Sequence, residues 1–175
     1  LGIGGADVKD TDDAGACPGF NVSFFQIYNE NVEDLLSASR SASSASLKVR
    51  ERPNGEVFVD GATEQAVASS EEVQALLAEG EKRRRVAATA MNATSSRSHS
   101  VFLLKRSAAS VVSTLSIIDL AGCERASKTG ATGDTLKEGA AINKSLSALG
   151  ACISVLSDPK KRTSQHIPYR DSTLT

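Results

Sequence analysis

The chain has 175 residues, 40% of them hydrophobic and 23% charged, with 13 Gly and 4 Pro. That composition suits a folded domain with its own core and excludes disordered, collagenous and low-complexity classes for the chain as a whole. Lys and Arg number 20 against 21 Asp and Glu, a net charge of −1, so no global basic field draws the chain to nucleic acid or to an anionic membrane, and a polyanionic partner has to be met by a local patch.

Residues 1–20 are rich in Gly, Asp and Ala, lack periodicity, and read as a flexible or orphaned segment. They have no basic start and no apolar stretch, so they do not read as a signal peptide. No apolar run approaches the length of a membrane span, and no membrane insertion is expected. The chain opens on Leu1 and its single Met is Met91, which leads to the expectation that it starts inside a longer protein.

Asn21–Asn29 (NVSFFQIYN) is dense in Val, Phe, Ile and Tyr and reads as a strand, apolar on both faces around Phe24–Ile27 and so covered on both sides. Val32–Leu36 reads as a short helical turn, and Ser37–Ser46 as a low-complexity surface loop. Leu47–Glu51 and Glu56–Val59 flank Pro53-Asn54-Gly55, a turn that predicts a small hairpin. Ser69 and Glu72 have capping-box spacing, and Val73, Leu76, Leu77 and Gly80 follow at helical intervals. That helix runs into Lys82-Arg83-Arg84-Arg85, which reads as a solvated helix end or as a contact for an acidic partner.

Ser98–Lys105 and Thr114–Leu120 are strand candidates, the second read as a central buried strand ending in an acid. From about Thr135 a long helix carries Ile142, Leu146, Leu149, Ile153 and Leu156 in one apolar stripe, and Asp158-Pro159 ends it. Lys160-Lys161-Arg162 then reads as a basic loop, and Asp171 as the cap of a further helix. Strands alternating with helices predict an α/β domain with a mostly central sheet. Cys17, Cys123 and Cys152 are odd in number and far apart, with His99 and His166 the only histidines. That arithmetic argues against a zinc site and against a disulfide framework, and for reduced cytosolic thiols.

Three features carry chemistry. Asp119-Leu120-Ala121-Gly122 ends the strand TLSIID. In open α/β sheets ligands sit beyond the carboxyl ends of strands. An acid there can hold Mg²⁺ through its water shell, and a Gly lets a backbone N–H approach a terminal phosphate. Alone the pattern reads first as a turn after a buried strand. Asn92 to His99 (NATSSRSH) sets hydroxyls beside Arg97. Alone that reads first as a polar loop before a strand, or as a kinase target. Glu124, two residues after Gly122, offers the carboxylate that Arg97 needs, a latch able to close in one nucleotide state.

NATSSRSH, then IIDLAGCE, INKSLSALG and HIPYRDS, together with VSFFQIYNENVEDLL and VAATAMN upstream, resemble the kinesin motor domain in order and spacing from about Asn21 to Thr175. The resemblance implies residues 21–175 as part of a motor domain. The implied fold is a three-layer P-loop NTPase-like α/β fold, with a central mixed, mainly parallel β-sheet flanked by helices. It implies part of an ATP-dependent microtubule motor, an ATP hydrolase using ATP and Mg²⁺, on the microtubule cytoskeleton of the cytoplasm. By the same resemblance, Asn92, Ser95, Ser96 and Ser98 in one switch loop and Asp119 and Gly122 in the other bind the nucleotide. Ser95, Ser96, Arg97 and Glu124 are implied as catalytic, and Ser96 and Asp119 as the Mg²⁺ residues, largely through water. Lys128, Lys144, Lys160, Lys161, Arg162, His166, Tyr169 and Arg170 are implied to face the microtubule, whose tubulin surface is acidic. No nucleic-acid partner is expected, and the dimerisation and cargo regions are expected to lie outside this chain.

The sequence also departs from the family pattern. Cys123 stands where Ser is usual, Thr173 where many members carry Lys, and Gly139 where Ala is common. Nothing in residues 1–20 matches the phosphate loop GxxxxGK[ST]. ATP and Mg²⁺ binding by these 175 residues alone is therefore expected to be weak or absent. The alternative reading is a truncated, ATPase-dead module that binds microtubules.

Overall fold

The structure is a computed structural model and describes residues 19–37, 47–90, 97–108, 111–122 and 134–175. Asn92, Ser95, Ser96, Glu124 and Lys128 lie outside the described residues, as do residues 1–18 and most of the Ser37–Ser46 loop.

Strand β1 (Phe20–Tyr28) is the spine of a five-stranded sheet. It pairs on one edge with β2 (Asn31–Asp34) and β5 (Gln65–Val67), and on the other with β6 (His99–Ala108). β7 (Val111–Asp119) pairs with β6 beyond it. A separate hairpin joins β3 (Lys48–Glu51) to β4 (Val57–Asp60), with Gly55 at φ +83° as its turn requires. β1 is buried on both faces, as its apolar sequence predicts. Val22 and Phe24 point into one cluster with Leu35, Leu36, Val67 and Phe102, and Phe25 and Ile27 into another with Val32 and Val101.

Helix α1 (Ser70–Ala90) starts where the capping signal puts it. The Glu72 N–H donates to Ser69 Oγ at 3.2 Å. The Glu72 carboxylate accepts from the Ala68 N–H at 2.8 Å, one residue earlier than in the reciprocal box. Val73 and Leu76 press α1 onto the first cluster, whereas Leu77 is exposed. Helix α2 (Asp134–Ser157) serves the opposite face, where its Ser145 meets His99 on the same side of β6 as Val101. Helix, sheet and helix make three layers, an α/β fold. Asp158 ends α2 and caps α3 (Pro159–Ser164), accepting from the N–H groups of Lys160 and Lys161 at 2.9 and 3.4 Å.

Several expectations are corrected. All pairings among the described strands are antiparallel, so the mainly parallel character is not present in this portion of the sheet. Two-residue connections close the β1–β2 and β6–β7 hairpins, too short for a parallel crossover. Val32–Leu36 is not a helical turn, because Asn29 and Glu30 adopt φ of 49° and 64° and fold the chain back as β2. Lys160–Arg162 are helical, not a loop. Residues 169–174 form turns, in which the Leu174 N–H donates to Ser172 Oγ at 3.2 Å, and Asp171 caps no helix among the described residues.

β7 is not a buried central strand. It ends the strand order, and Leu115, Ile117 and Ile118 are each at least half exposed, so both of its faces meet solvent. The buried face of α2 is Ile142, Ser145, Ala148 and Cys152, with Ile153 and Leu156 exposed, so the stripe is turned by about one residue from the predicted one. By length and composition alone, Glu138–Ser157 is apolar enough to cross a membrane; its Ser145 is tied to the sheet through His99.

Gly80 is where α1 crosses β1 most closely, and a Cβ there would overlap the ring of Phe24. That ring is buried and packed edge-on to Phe102 at 5.5 Å, so it has no room to swing aside. Gly80→Ala gains helix propensity worth about 1 kcal/mol but overpacks a filled core at a cost of about 1–3 kcal/mol. Urea unfolding is expected to show a lower midpoint for Gly80→Ala, and an equal or higher midpoint would show that the Phe24 ring yields.

Candidate functional site

Three elements converge at one end of the sheet: the start of β6, the turn after β7, and one face of α2. The acid of the turn, Asp119, stands at the carboxyl end of β7 with its side chain 67% exposed. It is held there by Arg84 from α1, whose Nη1 donates to Asp119 Oδ2 at 2.9 Å. Arg84 itself is 4% exposed. Its remaining donors reach the Ser98 carbonyl at 3.0 Å and Ser100 Oγ at 3.2 Å, and Glu81 lies at 3.7 Å. A buried guanidinium needs this set of partners, because an unpaired one costs several kcal/mol.

Arg84 was missed in the reading of the basic run as a solvated helix end. The helix continues to Ala90, which places the run inside it. The signal was present in the spacing, since Arg84 lies one turn beyond Gly80 on the face that packs onto the sheet. Arg83 pairs with Glu79 at 2.9 Å and donates to the Ser37 carbonyl.

Arg97 precedes β6 and donates to Glu138 on α2 at 2.7 Å. The same carboxylate accepts from the Tyr28 hydroxyl at the end of β1. Burial, the hydrogen bond to Glu138 and that carboxylate's charge push the Tyr28 phenol up to about 12. The structure therefore supplies Arg97 with Glu138 as its partner; the expected partner, Glu124, lies outside the described residues.

His99 ties the turn to the helix. The Ala121 N–H donates to His99 Nδ1 at 3.0 Å, and His99 Nε2–H donates to Ser145 Oγ at 2.8 Å. The Ser145 hydroxyl in turn donates to the Ile142 carbonyl at 2.8 Å. Burial holds the imidazole below its ordinary range; Glu30 and Asp119 pull it up, and Arg84 pulls it down.

Gly122, exposed at the end of the turn, leaves its backbone open to a ligand. An exposed carboxylate and an open glycine backbone at a strand's carboxyl end fit a Mg²⁺–phosphate group. Ser98 is buried and lends its carbonyl to Arg84, so its observed contact is within the protein.

The residues of the second set lie on and after the helices. Lys144 is exposed on α2, Lys160, Lys161 and Arg162 on α3, and His166, Tyr169 and Arg170 after it, with Arg170 3.2 Å from Glu51. Thr173 is a structural anchor: its N–H and hydroxyl donate to the Glu30 carboxylate and carbonyl at 2.8 and 2.9 Å. Burial raises Glu30, but hydrogen bonds from Thr173 and Ser172 and the charge of Lys144 bring it below the usual carboxylate value.

The family model described as the kinesin motor domain matches residues 9–175. The chain is 49% identical over 166 residues to the human kinesin-like protein KIF13A, covering 88% of this chain and 9% of that protein. Against a solved fast kinesin the TM-score is 0.74 at 42% identity, covering 91% of this chain and 46% of that one. Against a KIF14 dimer solved with AMP-PNP in complex with a microtubule it is 0.73 at 39% identity, covering 89% and 46%. The chain thus spans under half of these solved chains.

His99 carries a pH dependence with a defined sign. Its folded form holds the proton less tightly than an unfolded imidazole near 6.5. The stabilisation it confers is complete above about pH 6.5 and is lost as pH falls toward the folded value. Urea midpoints are expected to drop on acidification below that point in the wild type, and less steeply in His99→Gln. Identical slopes would remove His99 from the account.

Proposed function

This chain belongs to the kinesin motor domain family, and we propose that it forms the nucleotide-sensing and track-binding part of an ATP-driven microtubule motor. The observation that carries this reading is the Asp119–Gly122 turn. It is exposed toward solvent, clamped from behind by Arg84, and joined directly to α2 through His99. A phosphate sensor needs such an open turn, and a motor needs it connected to a surface that grips the track.

Bound ATP and Mg²⁺ would supply the phosphoryl group and the charge that the turn senses. Asp119 would hold the ion through water, and Gly122 would offer its backbone to the terminal phosphate. Ser95, Ser96 and Asn92 would complete the nucleotide side, with Ser96 near the ion. Arg97 would leave Glu138 for Glu124 as the latch closes, since a guanidinium can exchange one carboxylate for another of equal charge, and Glu138 keeps the Tyr28 hydroxyl as a partner when Arg97 leaves. The exposed cations Lys144, Lys160, Lys161, Arg162 and Arg170, with Lys128, His166 and Tyr169, would meet the acidic tubulin surface. A local patch of this kind reconciles a polyanionic partner with a net charge of −1.

The 175 residues contain no GxxxxGK[ST] sequence. By themselves they would bind ATP weakly and turn it over at background, with catalysis belonging to the full-length gene product on microtubules.

In that gene product Arg97→Ala and Asp119→Asn are each expected to lower microtubule-stimulated ATP hydrolysis by about a hundredfold or more. Lys160→Glu combined with Lys161→Glu is expected instead to raise the microtubule concentration for half-maximal stimulation, with a shallower salt dependence, because fewer attractive charge contacts are left to screen. Near-normal turnover in Arg97→Ala would refute the role given to that residue.

A further inference from the structure

We infer that His99 is a positioning residue that couples the Asp119–Gly122 turn to α2, so that backbone movement at the turn is passed to the helix through a three-bond relay. The inference rests on the motor reading and names the part that joins its two halves.

Every proton in the relay is assigned by its neighbours. The Ala121 N–H can only donate, so His99 Nδ1 must be bare. The Ser145 hydroxyl is committed to the Ile142 carbonyl, so its oxygen is left to accept from His99 Nε2–H. Both ends of the ring therefore demand the same neutral tautomer. His99, Ser145 and Ala121 are all buried, which leaves little water to replace a broken bond. His99 sits opposite Ile27 in the β1–β6 ladder, so its backbone is fixed by the sheet. The ring then acts as a rigid strut between two parts that can move.

The lever lies on the turn side. Ala121 C=O and the Gly122 N–H share one planar peptide unit. Reorienting the Gly122 N–H toward a phosphate turns the residue whose own N–H holds His99. Ser145 then follows the ring or loses its bond. Ser145 interrupts an otherwise apolar face, with Ile142, Ala148 and Cys152 buried beside it. Packing alone would be served there by a small apolar residue.

The test compares the full-length wild-type gene product with Ser145→Ala, His99→Asn and the double variant. Asparagine keeps an acceptor where Nδ1 stands but is too short to reach Ser145. Each single change is expected to lower the microtubule-stimulated kcat about tenfold. The microtubule concentration for half-maximal stimulation should stay within about twofold of wild type, the mark of lost coupling rather than lost binding. The double variant should fall no further than the worse single, because both changes cut the same bond. Full stimulation in Ser145→Ala, or additive losses, overturns the relay while leaving the motor reading in place. A wild type that microtubules do not stimulate overturns the motor reading and the relay with it. A second measurement needs no variant: the ring ¹⁵N shifts of His99 in the wild type should show a protonated Nε2 and a bare Nδ1 near neutral pH, and a protonated Nδ1 overturns the relay even where the variants do not fold.

Discussion

Arg84 is the constraint on which the rest of the site depends. A guanidinium 4% exposed has to be paired on all its donor edges, and the pairing draws together parts that are distant in sequence. From α1 it reaches the Ser98 carbonyl before β6, the Ser100 hydroxyl within it, and Asp119 at the end of β7. Breaking one partner of a buried ion pair costs about 3–5 kcal/mol, because the remaining charge is stranded. Asp119 is mostly solvent-facing, so its loss would be less severe than that of Arg84. The asymmetry matters for function: the acid is fixed in direction yet still open on its outer side.

Around that fixed point, two further contacts bind the sheet end to α2. Glu138 collects Tyr28 and Arg97, and Ser145 collects His99. They lie two turns apart on the same helix, so α2 is gripped at two heights. The Glu30 turn adds a third tie, holding Ser172 and Thr173 of the segment after α3. Lys144 is near enough to lower the Glu30 carboxyl, which places a candidate track-facing cation beside this tie. In the proposed reading, the nucleotide side and the track side are thus separated by a few hydrogen bonds.

Much of the fold was legible in the residues themselves. The apolar run of β1, the Pro-Asn-Gly hairpin, the Ser69 cap and the Asp158-Pro159 stop all act locally, and local chemistry decided them. What failed depended on neighbours. β7 reads as a buried strand by composition, yet burial needs covering elements, and among the described residues only β6 lies beside it. Glu30 at φ 64° gives no hairpin signal, because its conformation is sustained by contacts with Ser172 and Thr173. Arg84 looked like surface charge because its acid, Asp119, is 35 positions away in sequence. Among the candidate site residues, Asp119 and Gly122 are legible as a motif. Glu138, Tyr28 and Ser145 are not, since each gains its meaning only from a partner across the fold.

The account holds that the turn and the helix move as one coupled unit. Hydrogen–deuterium exchange on the full-length gene product, compared between ADP and a non-hydrolysable ATP analogue with Mg²⁺, reads both ends at once. The Ala121 amide donates to His99, so its exchange reports directly on the first bond of the relay. The account predicts that nucleotide exchange changes protection at Ala121 and in the turn of α2 around Ser145 together. A change at Ala121 with α2 unmoved would contradict it.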